Sequence, residues 1–348
     1  MVKWGYNIGM SSGTSDIGEF IIENLPEHPA DIVMLVAQKF GISRQKAHGH
    51  LLKQIKQGKV IKVGQTRASK YFLPTADNFQ FSLNLQAKLQ EDIVWTKYMK
   101  PMVKILPENV LGICQYGFTE ILNNAIDHST GKSVHCHLVL RDGKIEIIIK
   151  DDGIGIFHKI QKALHLETPR EAILHLSKGK FTTDPKNHTG EGIFFSSRMF
   201  DSFCILSDNL FFTFSKGDWL LSQEHLEEMR KGTYISMEID ITSERTTREV
   251  FDEYANAERG FHKTIVAVAL SADPTDPHVS RSQAKRLLVG LDRFRSVVLD
   301  FHDVHGVGPA FIDEIFRVFQ NEHPHIEISC VRETPEIKEM IQRVHATT

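Results

Sequence analysis

The chain has 348 residues, 41% of them hydrophobic and 24% charged, with a formal net charge of −3. These are ordinary values for globular domains, and the length suits two or three separate cores, so a disordered or fibrous chain is excluded. No run approaches the ~18 continuous apolar residues of a membrane span, "MVKWGYNIGMSSG" has no signal-like apolar segment, and Cys114, Cys136, Cys204 and Cys330 form no CxxC, so a cytoplasmic protein with reduced thiols is expected.

Residues 14–75 read as one module. "SDIGEFIIENL" and "ADIVMLVAQKF" have helical periodicity, the second turning Ile32, Leu35 and Val36 inward. Ser43 is placed to cap a third helix running to about Gln57. "GKVIKVGQTRASKYFLP" then alternates and turns like a two-stranded hairpin. Three helices followed by a hairpin predict a winged helix-turn-helix. Between Gly41 and Ala76 stand eight basic residues (Arg44, Lys46, Lys53, Lys56, Lys59, Lys62, Arg67, Lys70) and no acid. Such a stripe over a recognition helix and wing is the footprint of a phosphate-binding surface, so DNA is the expected partner. Arg44, Gln45, Lys46 and His48 open the third helix, where base-edge contacts arise in this motif, and Arg67 and Lys70 lie on the wing. A winged helix used for protein contacts is the other reading.

Residues 85–105 predict a connecting helix, broken or kinked near Pro101. Its Ile93, Val94, Met102 and Ile105 suit packing on the next domain or on a second copy of the chain. From Leu106 to near Ile241 a further domain follows. Pro107 and Glu108 suit the first turn of a helix that carries "EILNNAIDHS". At about 100° per residue, Ile121, Leu122, Ala125 and Ile126 share one side, and Glu120, Asn123, Asn124, Asp127 and His128 the other. Asn and Asp are poor helix-interior residues, so this face differs from a plain solvated one. Glu120 and Asn124 stand one turn apart, a carboxylate and an amide able to serve a metal ion and the water beside it.

"SVHCHLVL" and "KIEIIIK" flank "RDGK", an Asp-Gly hairpin signal. His135 and His137 share a strand face, read as plain hairpin surface rather than a metal site. Asp151 ends the second strand just before Gly153 and Gly155, where a carboxylate can accept from an exocyclic amine and glycines let backbone approach a ring. Gly190 and Gly192 precede the helical "IFFSSRMF" and so expose amides to an anion. Together the pieces ask for a nucleotide with base, metal and phosphates.

Ser243 to Gly260 is charged and reads as a linker. Residues 262–348 alternate strand ("KTIVAVAL", "SVVLDF", "IEISCV") and helix ("SRSQAKRLLVGL", "PAFIDEIFRVFQ", "TPEIKEMIQRV"), which predicts a mostly parallel sheet. Phe311, Ile315, Phe316 and Phe319 are core by periodicity, and Asp313 and Glu314 read as a solvated face.

The order and spacing of the middle motifs resemble the Bergerat-fold ATPases, the GHKL superfamily of gyrase, heat-shock chaperone, histidine kinases and mismatch-repair ATPase, over about residues 106–241. "EILNNAIDH" is similar to the N-box and "DDGIG" to the first glycine box. "TGEGI" is similar to the second, Gly232-Thr233 to the GT before the final strand, and "FTT" at 181–183 to a lid motif. The resemblance implies ATP and Mg²⁺ as cofactors. Asn124 would hold Mg²⁺ and Glu120 would orient or deprotonate the nucleophile. Asp151 would read the adenine amine, and Thr233 would also bind the cofactor. Gly153 and Gly155 would shape the pocket. Thr189, Gly190 and Gly192 would bind phosphates, and Lys178 or Lys180 would add positive charge. Three residues depart from the pattern: His188 where a glycine is common, Glu191 between the phosphate-binding glycines, and Asp152 as an extra acid.

"SVVLDFHDVHGVGPAFIDEIFRVF" is similar to the strand–loop–helix of STAS domains that carries the phosphorylated serine of anti-sigma-factor antagonists. Here Gly308-Pro309-Ala310 offers no hydroxyl at that place. None of "KAHGHLL", "GFHKTIV" or "DFHDVHG" fits the phosphoacceptor of a sensor kinase. The expectation is an α/β multidomain protein, in the order winged helix (14–75), connecting helix (85–105), Bergerat-fold α/β sandwich (106–241) and STAS-like α/β domain (262–348). It would bind and hydrolyse ATP and couple nucleotide state to DNA and to a protein partner or self-association, as in a homodimer. The alternatives are a partner-switching serine/threonine kinase acting on another protein, and an ATP-dependent scaffold in a stress or antiphage response.

Overall fold

The computed structural model describes residues 15–56, 59–63, 69–72, 79–104, 106–181, 189–215, 218–223, 231–256, 260–271 and 278–346. At the N-terminal end, helices Ser15–Asn24, Ile32–Phe40 and Arg44–Lys56 are followed by strands β1 (Ile61–Val63) and β2 (Lys70–Phe72), paired antiparallel. Gly41, at φ +62°, reverses the chain after the second helix, a left-handed turn that glycine tolerates without a Cβ clash. The Ser43 hydroxyl accepts from the Lys46 amide at 3.2 Å and caps the third helix. Ile17, Ile21, Leu25, Ile32, Val36 and Leu51 form a core of this module's own.

The middle of the chain is a seven-stranded antiparallel sheet in the order β3-β4-β5-β9-β6-β7-β8. Its strands are β3 (Phe79–Asn84), β4 (Ser133–Arg141), β5 (Lys144–Asp151), β6 (Ser202–Ser207), β7 (Leu210–Ser215), β8 (Asp218–Gln223) and β9 (Tyr234–Asp240). Strict alternation on β5 buries Ile145, Ile147 and Ile149 on one face.

The sheet begins earlier than the motifs suggest. Phe79 and Phe81 of β3 are buried, and Phe81 stacks on Tyr98 at 4.6 Å. The segment expected as a connector is helical over 91–103 and packs on this same sheet, burying Trp95, Met99, Met102 and Val103. The helix is continuous through Pro101, and the expected irregularity near it takes the form of widened turns at Trp95–Met99, just before the proline that lacks an N–H. The expected linker is also a helix, Thr247–Tyr254, with a capping box between Thr246 and Glu249 and with Val250 and Tyr254 buried.

A short antiparallel pair, β10 (Ala255–Asn256) and β11 (Gly260–Phe261), leads into the C-terminal unit, whose three parallel strands are β12 (Lys263–Ala267), β13 (Ser296–Asp300) and β14 (Glu327–Val331), in that order. Helices Arg281–Leu288, 309–322 and Pro335–Ala346 accompany them. Phe311, Ile315, Phe316 and Phe319 are buried as periodicity requires. Glu314 is buried too, 3.7 Å from Lys285, and Asp313 is bonded to Arg281 and Arg317, so this pair is an ion-pair network under the Arg281–Leu288 helix rather than a solvated face. One apolar core runs without interruption from Phe79 in the sheet to Ile341 in the C-terminal unit.

Candidate functional site

The Glu108–His128 helix buries Ile121, Leu122 and Ala125 against the sheet and turns Glu120, Asn123, Asn124 and His128 to a cavity of about 310 Å³. Asp151, Ile149, Thr233 and Ile235 form the facing wall. Phe181, Thr189, Gly190, Glu191 and Gly192 close one end. The volume is in the range of small-molecule sites, and apolar walls with a few convergent polar groups are their usual make-up.

Asp151 is 6% exposed. One of its carboxylate oxygens accepts from the Gly153 amide at 2.8 Å and the Thr233 amide at 3.3 Å. Burial pushes its pKa up, and those two backbone bonds oppose the rise. The Thr233 hydroxyl accepts from the Ile156 amide at 3.0 Å, tying the GT turn to the loop after β5. Gly232, at φ +85°, makes this crossing possible, because a Cβ there would lie 1.9 Å from the Asp151 carbonyl oxygen. Gly155 lines the cavity, whereas Gly153 lies behind the carboxylate and supplies its amide. Asp152, the extra acid, is turned to the chain before β4, accepting from the Lys132 and Ser133 amides at 2.7 and 2.9 Å. The Ser133 amide bond leads in holding its carboxyl below the usual range.

Glu120 lies at the end where phosphates are expected. A Cβ on Gly192 would stand 2.1 Å from Glu120 Oε2, so the carboxylate rests directly against the first residue of the Gly192–Met199 helix, where helix-end amides favour negative charge. Glu191 is on the same wall. Burial raises its pKa, opposed by Lys180 and by a Thr189 side-chain bond. Burial chiefly, and then Glu120 and Glu191, push the Tyr116 hydroxyl pKa well up, so Tyr116 remains a neutral phenol beside both acids.

Two expected phosphate contacts lie elsewhere. Lys178 is 2% exposed, and its ammonium donates to the Val289 and Arg286 carbonyl oxygens at 3.0 and 3.3 Å. Lys180 donates to the Arg293 carbonyl at 2.8 Å and lies 4.7 Å from the Phe294 ring centre. Neither lines the cavity: the orphan carbonyls at the end of the Arg281–Leu288 helix draw one amine, and an aromatic pair draws the other.

The cavity does have a lysine that motif reading missed. Lys159, on the Ile156–Leu164 helix, lines it and donates to the His128 carbonyl at 2.7 Å. Burial lowers its pKa, with Asp127 opposing. Among the described lining residues it is the only Lys or Arg. Its signal in the sequence is position: it falls one helical turn past Gly155.

At the N-terminal end, Arg44, Gln45 and Lys46 are exposed on the first turn of the third helix, and His48 is half-buried. Lys53, Lys56, Lys59, Lys62 and Lys70 are exposed as well, while Arg67 lies outside the described residues.

Asn124 and Asp151 therefore bound one cavity, with Glu120 and the 189–192 backbone at one end. An amide oxygen for a hard cation, a buried acceptor for an amine and glycine amides for phosphates fit a magnesium nucleotide. Residues 114–206 match the histidine kinase-, DNA gyrase B- and HSP90-like ATPase family, and residues 283–338 match a STAS-like domain of unknown function. No curated protein matches the chain. No helix among the described residues is long and apolar enough to cross a membrane. This is a multidomain α/β chain that carries a GHKL-type ATPase domain, a kind that binds ATP, usually with Mg²⁺, and a STAS-like domain.

Proposed function

We propose that the chain is an ATP-binding, ATP-hydrolysing regulator that couples nucleotide state to DNA binding and to contacts with a protein partner. The supporting observation is the placement of Asn124 and Asp151 on one cavity with Glu120 at its end. Asp151 accepts the adenine amine through the oxygen its backbone donors leave open. Asn124 would hold the cation, which would supply charge neutralisation at the phosphates. The amides of Gly190 and Gly192, with Thr189, take the phosphate oxygens. Glu120 orients the attacking water from its seat against Gly192. Positioning and charge are most of what phosphoryl transfer needs.

Lys159 is the lysine of this site. Eight residues separate Glu120 from His128, about 12 Å along the helix axis, so an amine on the His128 carbonyl lies toward the α-phosphate and ribose rather than the γ-phosphate.

The three helices and hairpin at the N-terminal end are taken as a winged helix, and its exposed basic residues support duplex DNA as the partner. Phosphate release and ATP binding by wild type, Glu120→Ala and Asn124→Ala test the ATPase half: turnover alone should fall in the first and binding in the second. Labelled duplex DNA, titrated at matched salt with and without ATP·Mg²⁺, tests the coupling. Equal DNA affinity in both conditions rules out the switch.

A further inference from the structure

Residues 178–180 join the end of the Glu171–Lys178 helix to the segment that closes the cavity. The STAS-like unit and the chain that enters it hold all three. The Thr264 hydroxyl of β12 donates to the Lys178 carbonyl at 2.7 Å, and the Lys178 amine meets the two carbonyls at the end of the Arg281–Leu288 helix. Gly179 is packed so tightly that a Cβ would lie 2.7 Å from the Phe261 ring. Lys180 and Arg293 bond reciprocally. The Lys180 amine donates to the Arg293 carbonyl at 2.8 Å, and the Arg293 guanidinium donates to the Lys180 carbonyl at 3.0 Å.

This clamp has a cost in backbone conformation. Gly179 is at φ +78° and Lys180 at φ +54°, positive values that a lysine adopts infrequently and at some strain. The next residue, Phe181, lines the cavity, and Gly190 packs on its backbone. Lys180 is also within electrostatic reach of Glu191 on the cavity wall. The Lys180 amine has one partner in the structure and one candidate. One is a neutral carbonyl with aromatic faces on the STAS-like side, and the other is the terminal phosphate of a nucleotide on the ATPase side. A multiply charged phosphate is the stronger acceptor.

We propose that the STAS-like domain restrains the nucleotide site by holding Lys180 in a strained, outward-turned conformation, and that the terminal phosphate of ATP competes for the same amine. The proposal rests on the reading of the cavity as an ATP site. It makes docking of the STAS-like domain and binding of a triphosphate mutually opposed, and by reciprocity ATP loosens the domain contact. ADP, which lacks the terminal phosphate, does not compete.

The test is titration calorimetry of ATP and ADP, each with Mg²⁺, into the full chain and its variants. Arg293 is exposed, so Arg293→Ala removes the clamp on the Lys180 carbonyl without opening a core. It should tighten ATP about fivefold, the worth of one hydrogen bond, and leave ADP unchanged. Thr264→Val removes the neighbouring bond at nearly constant shape and should act in the same direction. Lys180→Met should weaken ATP toward the ADP value, and Arg293→Ala should then have no further effect in the double variant. An ATP-to-ADP affinity ratio that both Arg293→Ala and Thr264→Val leave at the wild-type value overturns the restraint. So does Lys180→Met with an unchanged ratio. Absence of ATP binding in wild type overturns the ATP-site reading itself, and the restraint with it.

Discussion

The carboxylate of Glu120 and the α-carbon of Gly192 are in direct contact across the cavity's end, so a methyl group on Gly192 would stand 2.1 Å from Oε2. Gly192→Ala must therefore displace Glu120. Near-attack geometry is sensitive to shifts of about 1 Å, so turnover should fall about 10²-fold, with ATP affinity less affected. Steady-state phosphate release paired with equilibrium nucleotide binding separates the two. Unchanged turnover in a folded Gly192→Ala protein contradicts the placement of Glu120 at the reacting end.

Asp151→Asn keeps an oxygen for the Gly153 and Thr233 amides, so the fold should survive. The amide then presents nitrogen where the adenine amine expects an acceptor, leaving two donors face to face. A mismatched buried donor costs about 1–3 kcal/mol, so the ATP dissociation constant should rise about 5- to 150-fold. Discrimination against a guanine nucleotide should shrink with it. Competition binding with both nucleotides reads this out.

Lys159→Gln removes the cavity's lysine while retaining a donor for the His128 carbonyl. Loss of a partly buried charge next to a phosphate should weaken ATP and ADP alike, about 3- to 30-fold, with a shallower dependence on salt. An effect confined to ATP would place this amine at the terminal phosphate instead.

Lys178 provides a pH test of the domain contact. Burial lowers its pKa from 10.5 to about 7. Between those values the unfolded chain holds more protons than the folded one, so the lysine's contribution to stability improves as pH rises. Below about pH 7 both states are protonated, and the full penalty, on the order of a few kcal/mol, applies. His175, one turn earlier, titrates at about 4 and stays neutral through this window. Against Lys178→Met, wild type should be at its worst near pH 6 and gain steadily toward pH 10. Melting temperatures measured for both proteins across that range should converge or cross. Parallel curves would show that the amine is solvated.

Local pattern made the polar residues around the cavity legible from sequence. Glu120 and Asn124 share a helix face by periodicity, and Asp151 is placed by a strand end and two following glycines. The C-terminal alternation was legible for the same reason, since each strand and helix carries its own period. What depended on distant partners was not. Lys178 and Lys180 adjoin a motif that suggests phosphate, yet their amines follow carbonyls more than 100 residues later in the chain. Glu314 reads as solvated until the Arg281–Leu288 helix is seen to cover it. Two further signals lie in the sequence outside the motifs: the alternating Phe79, Phe81 and Leu83 of β3, and the Thr246–Glu249 capping box inside a charged stretch.

The shared aromatic junction has a bearing on how the molecule comes apart. Phe261 at the entry to the STAS-like unit lies 4.5 Å from Phe194 and 5.0 Å from Phe195 of the ATPase domain, and 5.3 Å from Phe294 on its other side. Cleaving the chain ahead of β12 would strip this ring stack from both halves and leave sticky faces on each fragment. The ATPase and STAS-like units should therefore melt together as one cooperative body, while the N-terminal module, with a core of its own, melts independently.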